Sequence, residues 1–118
     1  MSARKFFRSF GYAVAGFLTA TKEQNLRFHL FSAVIVIIAG ILTGLSSTEW
    51  MIVTIVMALV IGAELINTAI ERVVDLASPE IHPLAKDAKD IAAGAVLVFA
   101  VASVIIGLLI FLPKWLSI

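Results

Sequence analysis

Two long stretches of this chain carry no Asp, Glu, Lys or Arg: Phe28–Leu45 over 18 residues and Ile91–Leu112 over 22. Each is long enough to cross a hydrocarbon layer of about 30 Å as a helix. A chain of 118 residues with 61% hydrophobic and 14% charged side chains, and a mean hydropathy of +1.07, has far more apolar surface than a soluble core of its size can bury. The expectation is an all-α membrane protein. A net charge of +1 argues against the dense positive field of a nucleic-acid binder. The absence of cysteine excludes disulfide staples and thiolate metal sites.

A third apolar stretch, Trp50–Ala63, is free of charge for only 14 residues, which covers about 21 Å of helix. To finish crossing, that helix must continue through Glu64, Asn67 and Thr68 to about Ile70, which places a carboxylate inside the membrane. Such a residue is expensive and marks a functional-site candidate. The spacing predicts spans over about 28–45, 50–70 and 91–112 in a single domain of residues 1–118.

Basic residues set the orientation. Arg4, Lys5, Arg8, Lys22 and Arg27 precede the first span, and Arg72, Lys86 and Lys89 lie between the second and third, whereas Ser46–Glu49 has none and the C-terminal end has only Lys114. By the positive-inside rule the N-terminus and the 72–90 loop are cytoplasmic and the C-terminus lies outside a plasma membrane. The first residues are too interrupted by charge for a cleaved signal peptide. Phe6, Phe7, Phe10, Ala13, Val14, Phe17 and Leu18 recur at spacings of three and four, so residues 4–21 are expected to form an interfacial amphipathic helix. Ser46-Ser47-Thr48 is expected to turn the chain and cap the second span, and Pro79 and Pro83 to break the loop before the third.

At 100° per residue, Glu64, Asn67, Glu71 and Asp75 fall on one stripe of the second span, with Thr68 beside it and an apolar face opposite. Lys86, Asp87, Lys89 and Asp90 open the third span ahead of the small-residue run Ala92-Ala93-Gly94-Ala95, while Glu23, Gln24, Asn25, Arg27 and His29 lead into the first. Together they bring carboxylates, an amide and ammonium groups to the cytoplasmic side. Phosphoryl transfer needs such parts: oxygen ligands for magnesium, a cation for the transferring phosphate, and a carboxylate to take the proton of the attacking hydroxyl. Glu64 lies about 10 Å deeper than Glu71, so a lipid hydroxyl could meet Glu64 while the nucleotide phosphates stay near Glu71 in water.

The run Glu64-x-x-Asn67-Thr68-Ala69-Ile70-Glu71-x-x-Val74-Asp75, followed by Ala88-Lys89-Asp90, resembles the signature of the small bacterial integral-membrane diacylglycerol kinase and undecaprenol kinase family. The resemblance extends to Gly11-Tyr12 and to Glu23-x-Asn25-x-Arg27-x-His29. It implies a homotrimer of three-span subunits with an N-terminal surface helix, using ATP and magnesium to phosphorylate a lipid alcohol without a P-loop or protein-kinase motif. Carried over by position, it implies Glu64 as catalytic base and Glu23 and Glu71 as metal carboxylates. Tyr12, Glu23, Glu71, Glu80, His82, Lys89 and Asp90 become nucleotide contacts, and Asn67, Lys5 and Arg8 supporting groups. The spacing from Gly16 to Glu23 is one residue shorter than in proteobacterial diacylglycerol kinases. The stretches 74–78 and 92–96 are more similar to the undecaprenol kinase branch, which points to undecaprenol as acceptor and diacylglycerol as the alternative.

Plainer readings stand beside these. Glu71 with Arg72, and Lys86 with Asp90, suit ordinary interfacial charge pairs. His29 suits a structural histidine at the head of its span, and Trp50 and Trp115 suit interface anchors. A small transporter subunit would also use an intramembrane glutamate, but transport needs access from both sides, and the outer half offers only Thr43, Thr54 and Ser103. A membrane scaffold would leave the acidic stripe without a purpose.

Overall fold

The computed structural model describes residues 2–117 and consists of four helices joined by short connections: α1 (Ala3–Ala20), α2 (Gln24–Thr43), α3 (Ser47–Ala77) and α4 (Pro83–Leu116). The last three are each long and apolar enough to cross a membrane. They run alternately up and down, with α3 packed along α4 and α2 laid against α3.

The first span ends earlier than its apolar run. Gly44 adopts φ +79° and its N–H donates to the Gly40 carbonyl at 2.9 Å, a left-handed cap that only glycine takes without strain. The helix therefore stops at Thr43, and Leu45, expected to be its last residue, leaves the helix and is buried. Ser46 then caps α3: its hydroxyl accepts from the Glu49 N–H at 3.2 Å while the Glu49 carboxylate accepts from the Ser46 N–H at 2.9 Å. This reciprocal box starts α3 three residues before the expected boundary. At its other end α3 runs on to Ala77, because nothing in the polar stripe interrupts helical bonding before Ser78-Pro79. With 31 residues it is about 46 Å long, more than a hydrocarbon layer. Pro83 occupies the first position of α4, where its missing N–H costs nothing.

The end where α2 meets α3 is firmly fastened. Leu45, Val53 and Phe111 form a buried cluster flanked by Val36, Trp50 and Met57. Around it Trp115 Nε1 donates to Thr43 Oγ1 at 2.9 Å, and Lys114 pairs with Glu49 at 3.1 Å. The Trp50 ring lies so close to α2 that a Cβ at Gly40 would meet its Cη2 at 2.6 Å. The two tryptophans thus tie helices together in addition to standing at a span end. Helix α1 begins with Ser2, whose hydroxyl accepts from the Lys5 N–H at 3.2 Å, and leaves nearly all its side chains exposed, Ala20 excepted.

Candidate active site

The Glu64–Thr68 part of the polar stripe of α3 turns inward, as the apolar face opposite it requires, whereas Asp75 at its end is exposed. Glu64, Asn67 and Thr68 are only 3%, 5% and 5% exposed, although every neighbour belongs to the same chain. Side chains of the one chain therefore already cover the Glu64 carboxylate. Asn67 Nδ2 donates to Glu71 Oε1 at 3.1 Å, one turn along the helix. The other amide atom, Asn67 Oδ1, is buried and accepts no hydrogen bond among the described residues, an arrangement that native interiors rarely leave.

Helix α2 supplies the group opposite. His29 Nε2 stands 3.7 Å from Glu64 Oε2, both side chains being largely buried. The gap exceeds a hydrogen bond but is an ion-pair distance if the imidazole is protonated. His29 was expected to be merely structural, and its approach to Glu64 depends on how α2 crosses α3, which no local spacing reveals. The carboxylates of Glu71 and Glu23 also lie near enough to act on Glu64 electrostatically. Groups from α2, from α3 and from the residue that precedes α2 thus gather about one buried carboxylate.

Toward the α3–α4 connection the charges pair between helices. Arg72 reaches Glu23 at 3.6 Å instead of its sequence neighbour Glu71, because successive helix residues point about 100° apart. Lys89 on α4 pairs with Asp75 on α3, and Lys86 with Asp90 at 2.5 Å within α4. Lys89 and Asp90 thus already have partners in the chain, and a nucleotide would have to exchange with them. His82 caps α4 through Nδ1, which accepts from the Leu84 N–H at 3.1 Å, while Glu80 is exposed in the connection. Lys5, Arg8 and Tyr12 lie on the exposed surface of α1. Among the described residues no hydrogen bond or ion pair joins their side chains, or that of Glu80, to the Glu64 cluster.

No group of three or more His, Asp or Glu side chains among the described residues is arranged to hold a metal by itself. The chemistry of the donors nevertheless suits magnesium, which commonly takes one or two protein carboxylates and completes its shell with phosphate and water. Glu71, Glu23 and the unpaired Asn67 Oδ1 are all hard oxygen donors.

Known proteins resemble this chain over most of its length. The family profile for prokaryotic diacylglycerol kinase matches residues 11–111. The chain is 55% identical to an undecaprenol kinase of Bacillus subtilis over 111 residues, 93% of this chain and 90% of that protein. It is 46% identical to a diacylglycerol kinase of Synechocystis over 92% of this chain and 63% of that protein. To a diacylglycerol kinase of Pseudomonas aeruginosa it is 37% identical over 78% and 76% of the two chains. The chain belongs to the prokaryotic diacylglycerol kinase family and is a membrane phosphotransferase with an alcohol acceptor.

Proposed function

We propose that the chain transfers the γ-phosphoryl group of ATP to the hydroxyl of undecaprenol, making undecaprenyl phosphate. The observation that carries this reading is the burial of Glu64 at membrane depth on a helix whose next two turns hold Asn67 and Glu71. The choice of polyprenol follows the 55% identity to an undecaprenol kinase over nearly the full length of both chains. Diacylglycerol is the second reading, favoured by the names of the other relatives.

In the proposed reaction Glu64 accepts the hydroxyl proton of the lipid as its oxygen attacks the γ-phosphorus. The bond to the β-γ bridging oxygen breaks, ADP departs, and the proton passes from Glu64 to water. Lys89, released from Asp75, offsets charge on the phosphates, with Asp90, Glu80, His82 and Tyr12 as further nucleotide contacts. Asn67 holds Glu71 in place through Nδ2, and Lys5 and Arg8 support the nucleotide from α1. Glu71 and Glu23 would hold magnesium, which when bound neutralises phosphate oxygens. Helix α1 lies along the cytoplasmic surface with its phenylalanines in the interface, and three copies assemble into a homotrimer.

Labelled ATP, with undecaprenol and diacylglycerol at equal mole fraction in mixed micelles, tests the substrate. A higher kcat/KM for the polyprenol supports the proposal, and a clear preference for diacylglycerol reverses the acceptor. Orientation is checked by cysteine labelling, which the cysteine-free chain makes clean. A membrane-impermeant maleimide should label Thr48→Cys from outside intact cells and Asp87→Cys only after lysis. Mass measurement of the detergent-extracted protein should give three copies.

A further inference from the structure

The link between α1 and α2 is three residues long, Thr21 to Glu23, and every backbone N–H and carbonyl in it is hydrogen-bonded. Its N–H groups donate back to Phe17, Thr19 and Ala20 of α1, that of Glu23 at 3.0 Å. All three of its carbonyls accept from one residue, Arg27. The guanidinium donates to Thr21 O and Lys22 O at 3.0 and 2.7 Å, and the Arg27 N–H donates to Glu23 O at 3.2 Å. A cation near the start of α2 stands on the wrong side of that helix's own dipole. What it meets there is the C-terminal end of α1, where a cation is favoured and where the last turn of α1 supplies none. On either side of the link Ala20 and Leu26 are buried, Leu26 completely. One side chain thus braces an anchored corner.

Glu23 closes the link and is the N-cap residue of α2, yet its carboxylate accepts from none of the N–H groups that open the helix. An acidic cap ordinarily takes the N–H two or three residues on, here that of Asn25 or Leu26. Glu23 Oε1 instead stands 3.6 Å from the guanidinium of Arg72 on α3. We propose that Arg27 is the positioning residue for Glu23: by holding the three carbonyls it keeps the corner from relaxing, so that the carboxylate faces α3 and does not fold back onto α2. The inference rests on the kinase reading above only for what Glu23 does there, which is to hold metal together with Glu71. With the brace gone, the open amides of α2 compete with α3 for the carboxylate. A side chain that touches neither substrate thereby governs whether Glu23 is available.

Hydrogen exchange on the full-length protein in detergent, without nucleotide or metal, reads the corner. Arg27→Gln is expected to speed exchange at the Lys22 and Glu23 amides and to slow it at Asn25 and Leu26. Arg27→Lys, which keeps a donor and the charge, should stay nearer the unaltered pattern. Exchange unchanged in the link, or faster there with no slowing at Asn25 and Leu26, would overturn the proposal. Manganese, which accepts the same oxygen ligands as magnesium, reads the carboxylate without turnover when added with β,γ-methylene ATP and followed by its paramagnetic signal. Arg27→Gln should weaken manganese binding about tenfold, the lower end of what loss of an outer partner of a ligating group costs, and Arg27→Lys should recover part of it. A merely structural role would reduce the number of binding sites at unchanged affinity, and that result would overturn the assignment. In a Glu23→Gln background the same change at Arg27 should cost nothing further, whereas a full additional loss would mean that Arg27 acts through another group and would overturn it too. If the unaltered protein binds no manganese with the analogue, the metal role of Glu23 fails, and the exchange pattern at Asn25 and Leu26 still decides whether Arg27 directs the carboxylate.

Discussion

His29 on α2 and Glu64 on α3 face each other across 3.7 Å in the membrane-spanning part of the protein, each mostly hidden from solvent. A buried carboxylate with a basic ring beside it is placed to receive a proton in a water-poor setting. Glu64→Gln keeps the shape and hydrogen-bonding capacity of the side chain but removes that function. Transfer should fall by ~10²–10⁴-fold, the usual contribution of a general base, while the variant still inserts and binds ATP. Single-turnover phosphate transfer and nucleotide binding, measured on one preparation, separate the two effects, and a near-normal rate would make Glu64 structural.

For His29 the expected signature is a split between two variants. His29→Leu leaves Glu64 without its polar neighbour and should lower kcat while KM for ATP stays constant. His29→Gln, which keeps a polar group at that place, should recover part of the loss. A purely space-filling histidine would give the reverse order, since leucine fills the apolar surroundings better.

Metal dependence should change at Glu71 and Glu23. Both stand nearer the α3–α4 end than Glu64, and Glu23 spends part of its charge on Arg72 at 3.6 Å. Glu71→Ala and Glu23→Ala are expected to raise the magnesium concentration needed for half-maximal turnover, with the larger effect at Glu71, whose orientation Asn67 fixes. Titration of magnesium at saturating ATP measures it. Activity that survives complete chelation would remove both residues from this role.

Stability should respond at the opposite end of the bundle. Gly40→Ala places a methyl group where the Trp50 ring already is, 2.6 Å from Cη2. Overpacking of this kind costs about 1–3 kcal/mol. The melting temperature in detergent should drop, while kcat of the folded fraction is unchanged because the Glu64 cluster is far away along α3. An unchanged melting temperature would show that Trp50 has room to swing aside.

The spans were legible because lipid permits few solutions. Uncharged runs in 28–45 and 91–112 must be helices, and a run of only 14 residues after Trp50 forces Glu64 inside. The periodicity of α3 likewise foretold that Asn67 and Glu71 would share its face. What escaped the sequence are relations between helices. The His29–Glu64 approach, the turn of Arg72 toward Glu23 and the Glu49–Lys114 pair all depend on crossing angles and on contacts between residues far apart in the chain. Gly44 is a different case: glycine after a helix is a known stop signal, but the apolar Leu45 beyond it lengthened the expected span.

Because Glu64 and Glu71 ride on one unbroken helix, the distance between them along its axis is a property of helix rise alone. There is no hinge between them to absorb an error. A single residue inserted after Asn67 would turn the part of the stripe that holds Glu71 and Asp75 by about 100° and carry Glu71 off its shared face. In the proposed mechanism the protein therefore acts as a depth gauge. It serves hydroxyls presented at one level of the bilayer and passes over those held deeper or shallower, so a change in membrane thickness alone should alter which alcohols it phosphorylates.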